Sequence, residues 1–234
     1  MPGSRSVRDT ALSAVPRIPF PGLNGIWIDS PDEAIRPSDL EQAINELEGQ
    51  GLPCWIELRG DRTLASAEVA RRFGFTHEES LPGMVVRPDE LKMSSGPDIK
   101  IARVDDSAGL AAAATVAAEG FEVPLEQLAA MFTPLVGATP GLSVYVARAD
   151  GRAVSTVTTW AGDGTVGIFN VATPPAERGR GYGRAITAHA AREGFKIGAD
   201  LAWLQASPLG EPVYRALGFR QVETYLVLGR PATA

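Results

Sequence analysis

Arg178-Gly179-Arg180-Gly181-Tyr182-Gly183 stands between two segments of different character. Before it an apolar, strand-like run, Val166 to Ala172, ends in Thr173-Pro174-Pro175. After it an alanine-rich stretch, Arg184 to Gly194, predicts a helix. A glycine-dense turn that feeds a helix leaves several backbone N–H groups without partners and lets a ligand come close to them. The helix dipole favours negative charge at the same place, so the turn reads as a phosphate cradle.

Working outward, the chain passes from Ala172 through this turn and helix to Leu201–Ala206, which reads as a strand. A strand–helix–strand unit of this length predicts a right-handed crossover between parallel strands. Gly183, Ile186 or Thr187, Ala190 and Gly194 line one side of the helix, where small residues allow close packing on a sheet. Pro212 opens a further helix, Gly218 ends it, and Phe219 is placed to pack back on its last turn. Upstream, Ile99 to Arg103 alternates as a strand, and Ser107 to Glu119 predicts a helix. Pro124 opens a second helix with Leu125 and Leu128 on one face. Val144–Ala147, Ala153–Trp160 and Thr165–Ala172 read as an antiparallel meander turned at Asp150-Gly151 and Gly162-Asp163-Gly164.

Met93-Ser94-Ser95-Gly96-Pro97 interrupts the pattern and reads as a linker. Ahead of it, Gly25 to Asp29 predicts a short strand. Ser38 and Glu41 form a capping box for a helix through Leu40, Ile44 and Leu47, which ends at Gly49 and Gly51. Pro53 to Leu58 is a buried-type strand, Ala65 to Phe73 a helix closed by Gly74, and Phe75 to Arg87 a hairpin around Pro82-Gly83. The expected organisation is a poorly ordered segment, 1–22; a first α/β part, 23–92; the linker, 93–98; and a second α/β part, 99–234.

Composition narrows the function classes. The net charge is −6 and no Lys/Arg block stands out, which argues against nucleic acid and anionic membranes as partners. No apolar run is long enough to span a bilayer, and the N-terminus lacks the pattern of a secretory signal, so a cytoplasmic location is expected. Cys54 is the sole cysteine; in its apolar strand it reads as a structural thiol. His77 and His189 have no paired ligand spacing, so no metal is expected. A homodimer is compatible with the sequence.

Two nucleotide-binding folds fit poorly. A Walker-type loop needs Gly-Lys-Ser/Thr, and here Gly183 is followed by Arg184-Ala185. A dinucleotide fingerprint needs an acidic residue at the end of the second strand, which instead reads Gln205-Ala206-Ser207.

The arrangement resembles the GNAT superfamily of N-acetyltransferases over roughly Ile99 to Gly229. The family's Arg/Gln-x-x-Gly-x-Gly/Ala turn is matched by Arg178, Gly181 and Gly183, and Tyr214 precedes Leu217-Gly218-Phe219 as a tyrosine does in that family. The resemblance implies an α/β mixed sheet of GNAT-like acyl-CoA N-acyltransferase fold. It implies acetyl-CoA as co-substrate and a primary amine of a small molecule or peptide as acceptor. Val171, Ala172 and Thr173 would meet the pantetheine arm. Arg178, Gly179, Arg180, Gly181, Tyr182, Gly183 and Arg184 would form the phosphate cradle, and Ser207, after the second parallel strand, would also bind the cofactor. Tyr214 would protonate the leaving thiolate. Many relatives carry a glutamate as base on the strand before the turn. Here that strand, Thr165 to Val171, has none; Asn170 could orient a water, and Glu119 or Glu122 could substitute. The alternative is an acyl-CoA-binding module without catalysis, which senses the metabolite or regulates a partner.

The part before the linker repeats the second half in outline. Gly25-Ile26-Trp27-Ile28-Asp29 parallels Gly167-Ile168-Phe169-Asn170-Val171; Cys54-Trp55-Ile56-Glu57-Leu58 parallels Ala202-Trp203-Leu204-Gln205-Ala206; Arg72-Phe73-Gly74-Phe75 parallels Ala216-Leu217-Gly218-Phe219. The copy lacks a glycine turn and has Ala70 where the second half has Tyr214. The expectation is a degenerate GNAT-like half-domain that binds no coenzyme A.

Overall fold

The computed structural model describes residues 4–7, 11–14, 25–28, 36–48, 55–60, 64–92 and 96–230. Asp29, Gly49, Gly51, Cys54, Met93-Ser94-Ser95 and most of 1–22 lie outside them, together with the readings made there. The fold is mixed α/β, in two compact units: residues 1–82 with 223–234, and residues 83–222.

In the first unit the strands run β1 (Ser4–Val7), β2 (Ala11–Ala14), β3 (Gly25–Ile28), β4 (Trp55–Arg59) and β11 (Arg220–Gly229), in that spatial order. The β3–β4 pair is parallel and the others are antiparallel. Two of these strands fall in the segment expected to be poorly ordered. Helix α1 (Pro37–Glu48) buries Leu40, Ala43 and Ile44, and α2 (Leu64–Arg72) buries Ala67, Val69 and Ala70, around Ile26, Ile56, Leu58, Phe75 and Leu228. The capping box is not what starts α1. Pro37 occupies the first turn, where a missing N–H costs nothing. The Arg36 carbonyl accepts from the Asp39 N–H, and the Arg36 guanidinium pairs with the Asp39 carboxylate at 3.0 Å. Ser38 therefore lies inside the helix.

The expected hairpin at Pro82-Gly83 is also absent. A single strand, β5 (His77–Val86), runs straight through it. Its antiparallel ladder with β10 begins at Gly83, one residue past the proline, so no N–H is demanded of Pro82 there.

The second unit holds β6 (Lys100–Val104), β7 (Leu142–Ala149), β8 (Arg152–Gly162), β9 (Thr165–Ala172) and β10 (Leu201–Gln205), with the end of β5 beside β10. The meander β6–β9 is antiparallel and β9–β10 is parallel, as the crossover required. Asp150, Gly151, Asp163 and Gly164 all have positive φ, the geometry of tight turns matched to strand twist. Helix α6 (Tyr182–Lys196) lies over β8 and β9 and buries Ile186, Ala190 and Ala191 with Val166, Ile168, Ala202 and Leu204. Gly194 sets this approach, since a Cβ there would collide with the Val166 side chain. Helix α3 (Ser107–Phe121) packs on β7, β8 and β9 outside that cluster, on the other face. It is capped by the Asp106 carboxylate, which accepts from the Gly109 N–H at 2.6 Å. Short helices α4 (Leu125–Ala129), α5 (Pro134–Gly137) and α7 (Glu211–Ala216) complete the unit.

Candidate active site

The parallel ladder between β9 and β10 has three rungs, Leu201–Thr165, Ala202–Val166 and Trp203–Gly167. Both strands continue beyond it, β9 to Ala172 and β10 to Gln205, without pairing to each other. Beyond the last rung the two strands leave a slot between them into which a ligand can reach.

On its other edge β9 carries a bulge. Thr158 faces Phe169, but Thr156 faces Ala172, so β9 has one residue more than β8 over this interval. Asn170 takes up the difference in the left-handed region, at φ 52°. A bulge leaves the extra residue out of the ladder and re-aims its neighbours. The sequence reading weighed Asn170 only for its side chain and missed this backbone role. The available signal was an asparagine, tolerant of positive φ and rare in strands, inside a largely apolar run.

The end of β9 is anchored from beneath. The buried Ser155 hydroxyl donates to the Ala172 carbonyl at 2.8 Å and lies 3.0 Å from the Thr173 hydroxyl. Gly120 brings α3 against the same place: a Cβ there would sit 2.9 Å from the Ala172 Cβ and 3.0 Å from the Thr173 nitrogen. Neither Ser155 nor Gly120 was singled out from sequence.

The glycine turn follows a single 3-10 turn, Pro175–Glu177. Gly179 and Gly181 have φ of 79° and 80°, and Gly181 is the N-cap of α6 with no side chain to offer. The first backbone bond into the helix is Ala185 N–H to the Gly181 carbonyl. The N–H groups of Tyr182, Gly183 and Arg184 therefore stand at the helix N-terminus without helical partners, the arrangement that suits an anion.

The arginines of the turn are largely committed elsewhere. Arg178 turns its guanidinium back, donating to the Thr173 carbonyl at 3.2 Å, the Gly120 carbonyl at 2.8 Å and the Glu122 carboxylate at 3.2 Å. It ties the end of α3 to the start of the turn. Arg180 lies 3.0 Å from the carboxylate of the mostly buried Glu177, outside hydrogen-bond alignment, and Arg152 approaches the same group at 3.3 Å. Arg184 is different: with His189 and Arg192 it lines a cavity of about 210 Å³ between α6 and residues 96–101. His189 meets Tyr145 edge to face at 5.2 Å, and burial holds its pKa below the usual imidazole value.

Tyr214 on α7 is buried, and its pKa is pushed up to about 12 by desolvation. Its ring and hydroxyl lie over Gly210, where a Cβ would come within 2.8 Å of the ring and 3.1 Å of the hydroxyl. Gly210 belongs to the turn that leaves β10, in which the Ser207 hydroxyl accepts from the Gly210 N–H at 3.2 Å. Tyr214 and Ser207 thus share one turn at the exit of β10. Glu119 is exposed. Glu122, the left-handed C-cap of α3 at φ 57°, is held by Arg178. Among the described residues no metal-binding group of His, Cys, Asp or Glu is present, and no helix is long and apolar enough to cross a membrane.

Residues 140–221, which include the bulge, turn, crossover helix and Tyr214, match the family described as an acetyltransferase (GNAT) domain. Over these residues the chain is similar to GNAT acetyltransferases. Solved structures agree in fold. A GCN5-related N-acetyltransferase from Kribbella flavida superposes with a TM-score of 0.75 at 23% identity, covering 99% of this chain and 91% of that one. A functionally unknown conserved protein from Staphylococcus epidermidis gives 0.72 at 16%, covering 97% and 94%. A GCN5-related N-acetyltransferase from Sphaerobacter thermophilus gives 0.64 at 14%, covering 89% and 74%. No curated protein matches the chain.

Proposed function

We propose that the GNAT domain is an acetyl-CoA-dependent N-acetyltransferase that transfers the acyl group directly to a primary amine. The observation that carries this reading is the slot beyond Gly167 and Trp203, flanked by the Asn170 bulge and followed by the uncapped N-terminus of α6. The pyrophosphate would rest on the N–H groups of Tyr182, Gly183 and Arg184, with Gly179 and Gly181 supplying the turn. The pantetheine arm would lie along Val171, Ala172 and Thr173. Backbone N–H groups at the bulge would polarise the thioester carbonyl and hold the developing oxyanion. The amine lone pair forms the C–N bond, the C–S electron pair leaves on sulfur, and sulfur takes the Tyr214 proton. Burial keeps that phenol protonated across the neutral range.

Glu122 is poorly placed as base while it is held by Arg178, which leaves Glu119 or a water beside Asn170 to receive the ammonium proton. Asn170 in place of a carboxylate and the ion-paired Glu122 favour one second reading, an acyl-CoA sensor without turnover. Calorimetry with acetyl-CoA, together with thiol release over an amine panel, separates the two. Binding without release for any amine selects the sensor, and no binding at all removes both.

We infer further that residues 23–92 are a degenerate copy of the catalytic half, 99–234. Supporting this, Gly25 faces Trp55 as Gly167 faces Trp203. Ile56 faces Leu228 as Leu204 faces Met84, the two facing residues lying equally far beyond Phe219 and Phe75. The β3–β4 ladder, however, continues through Ile28–Leu58, where β9 and β10 have already parted. Buried Ala70 takes the place of Tyr214. Calorimetry should return about one acetyl-CoA per chain; a stoichiometry near two would remove the inference.

A further inference from the structure

Trp160, Gly167, Trp203 and Val85 lie opposite one another across β8, β9, β10 and β5, so their side chains share one face of the sheet. It is the face turned away from α6, because Val166, Ile168, Ala202 and Leu204, which alternate with this row, pack under that helix. Gly167 adds no side chain, and the rings of Phe169 and Trp203 close over it. They meet edge to face with centroids 5.2 Å apart, and each would lie within 2.8 Å of a Cβ at Gly167. Phe169 and Trp160 both remain 38% exposed.

The result is an aromatic floor beside the slot. Trp203 belongs to the last rung before the slot opens, and Phe169 is the neighbour of the bulged Asn170. A contiguous apolar patch left in water, unlike a single exposed ring, marks a binding surface. Here the floor adjoins the place assigned to the thioester, so its occupant is the acceptor. At the same end of β9, α3 brings exposed Glu119 next to Gly120, which touches Ala172. A carboxylate there, on a chain of net charge −6, suits an acceptor that arrives as a cation.

We infer that the acceptor is a primary amine carrying an aromatic ring on a short alkyl arm. Its ring stacks on Phe169 and Trp203 while its nitrogen reaches the slot. This rests on the acyl-transfer reading above. A further ring on an aromatic pair changes an equilibrium by up to about 10-fold.

The test uses the whole chain, with 2-phenylethylamine and n-butylamine as probes. Transfer from acetyl-CoA is followed by thiol release, and binding of each amine alone by tryptophan fluorescence. The expected result is a kcat/KM about 10-fold higher for 2-phenylethylamine. Phe169→Ala should collapse that ratio through KM, and Phe169→Leu, which keeps bulk without a ring, should do the same. Equal kcat/KM for the two amines, or a ratio that survives in both variants, overturns the inference. So does thiol release with n-butylamine accompanied by no fluorescence response to 2-phenylethylamine; in that case the acyl-transfer reading stands. If acetyl-CoA itself fails to bind, both fall.

Discussion

Gly167 faces Trp203 across the last rung that β9 and β10 share, and one residue further the two strands no longer pair. The opening therefore depends on backbone geometry, namely a ladder that stops and, beside it, a bulge at Asn170.

Gly181 has open space around a Cβ, with only the Pro97 Cδ at 3.7 Å, so a side chain there is opposed by φ of 80° and not by crowding. Gly181→Val should strain the N-cap by about 1–2 kcal/mol or more and abolish calorimetric acetyl-CoA binding while far-UV circular dichroism stays native. Undiminished affinity would show that the turn does not carry the phosphates.

Arg178 donates to two carbonyls and a carboxylate, which takes the planar fork of a guanidinium. Arg178→Ala should weaken acetyl-CoA binding by roughly 10-fold through loosening of the turn. Arg178→Lys should not restore it, because an ammonium offers a point charge in place of a fork. Full recovery with lysine would mean that charge alone matters.

Gly120→Ala poses packing against propensity. Alanine favours a helix over glycine by about 1 kcal/mol, but its Cβ would overlap the end of β9. Overpacking of this kind costs about 1–3 kcal/mol, so the midpoint of urea unfolding should fall. A rise would show that α3 rests loosely on Ala172.

Tyr214→Phe should lower turnover by roughly 100-fold with little change in acetyl-CoA affinity. A second readout concerns stability alone. The folded phenol holds its proton to about pH 12, whereas the unfolded one loses it near pH 10. The stabilisation is complete below pH 10 and is lost as pH rises toward 12, at which point about 2–3 kcal/mol has gone. The phenylalanine variant should lack this alkaline loss, which pH-dependent unfolding checks directly.

Much of the second unit was legible in the sequence because its signals are local. Asp150-Gly151 and Gly162-Asp163-Gly164 specify turns by their tolerance of positive φ, and Gly181 and Gly183 mark a strand-to-helix junction. Pro212 and Gly218 bracket α7. What escaped was set by distant partners. Pro82-Gly83 has the composition of a turn, yet a neighbouring strand makes it extended. The ties of Arg178 to the carbonyls of Gly120, far away in sequence, and of Thr173 are not visible in its motif. Ser155 and Gly120 look ordinary in sequence because their importance lies in what they touch, Ala172 and Thr173.

The strand β11 sets the order of folding events. Ile56 and Leu58 find their antiparallel partners at Leu228 and Leu226, so the first unit cannot complete its sheet until residues 223–229 have been made. A nascent chain would hold β4 with an open edge throughout synthesis of the intervening segment, a contact of high order and slow closure. Cutting the chain between residues 92 and 99 would take β5 from the side of β10 and β11 from the side of β4, leaving bare hydrogen-bonding edges on both fragments. Such halves should aggregate when made apart and recover solubility only when made together.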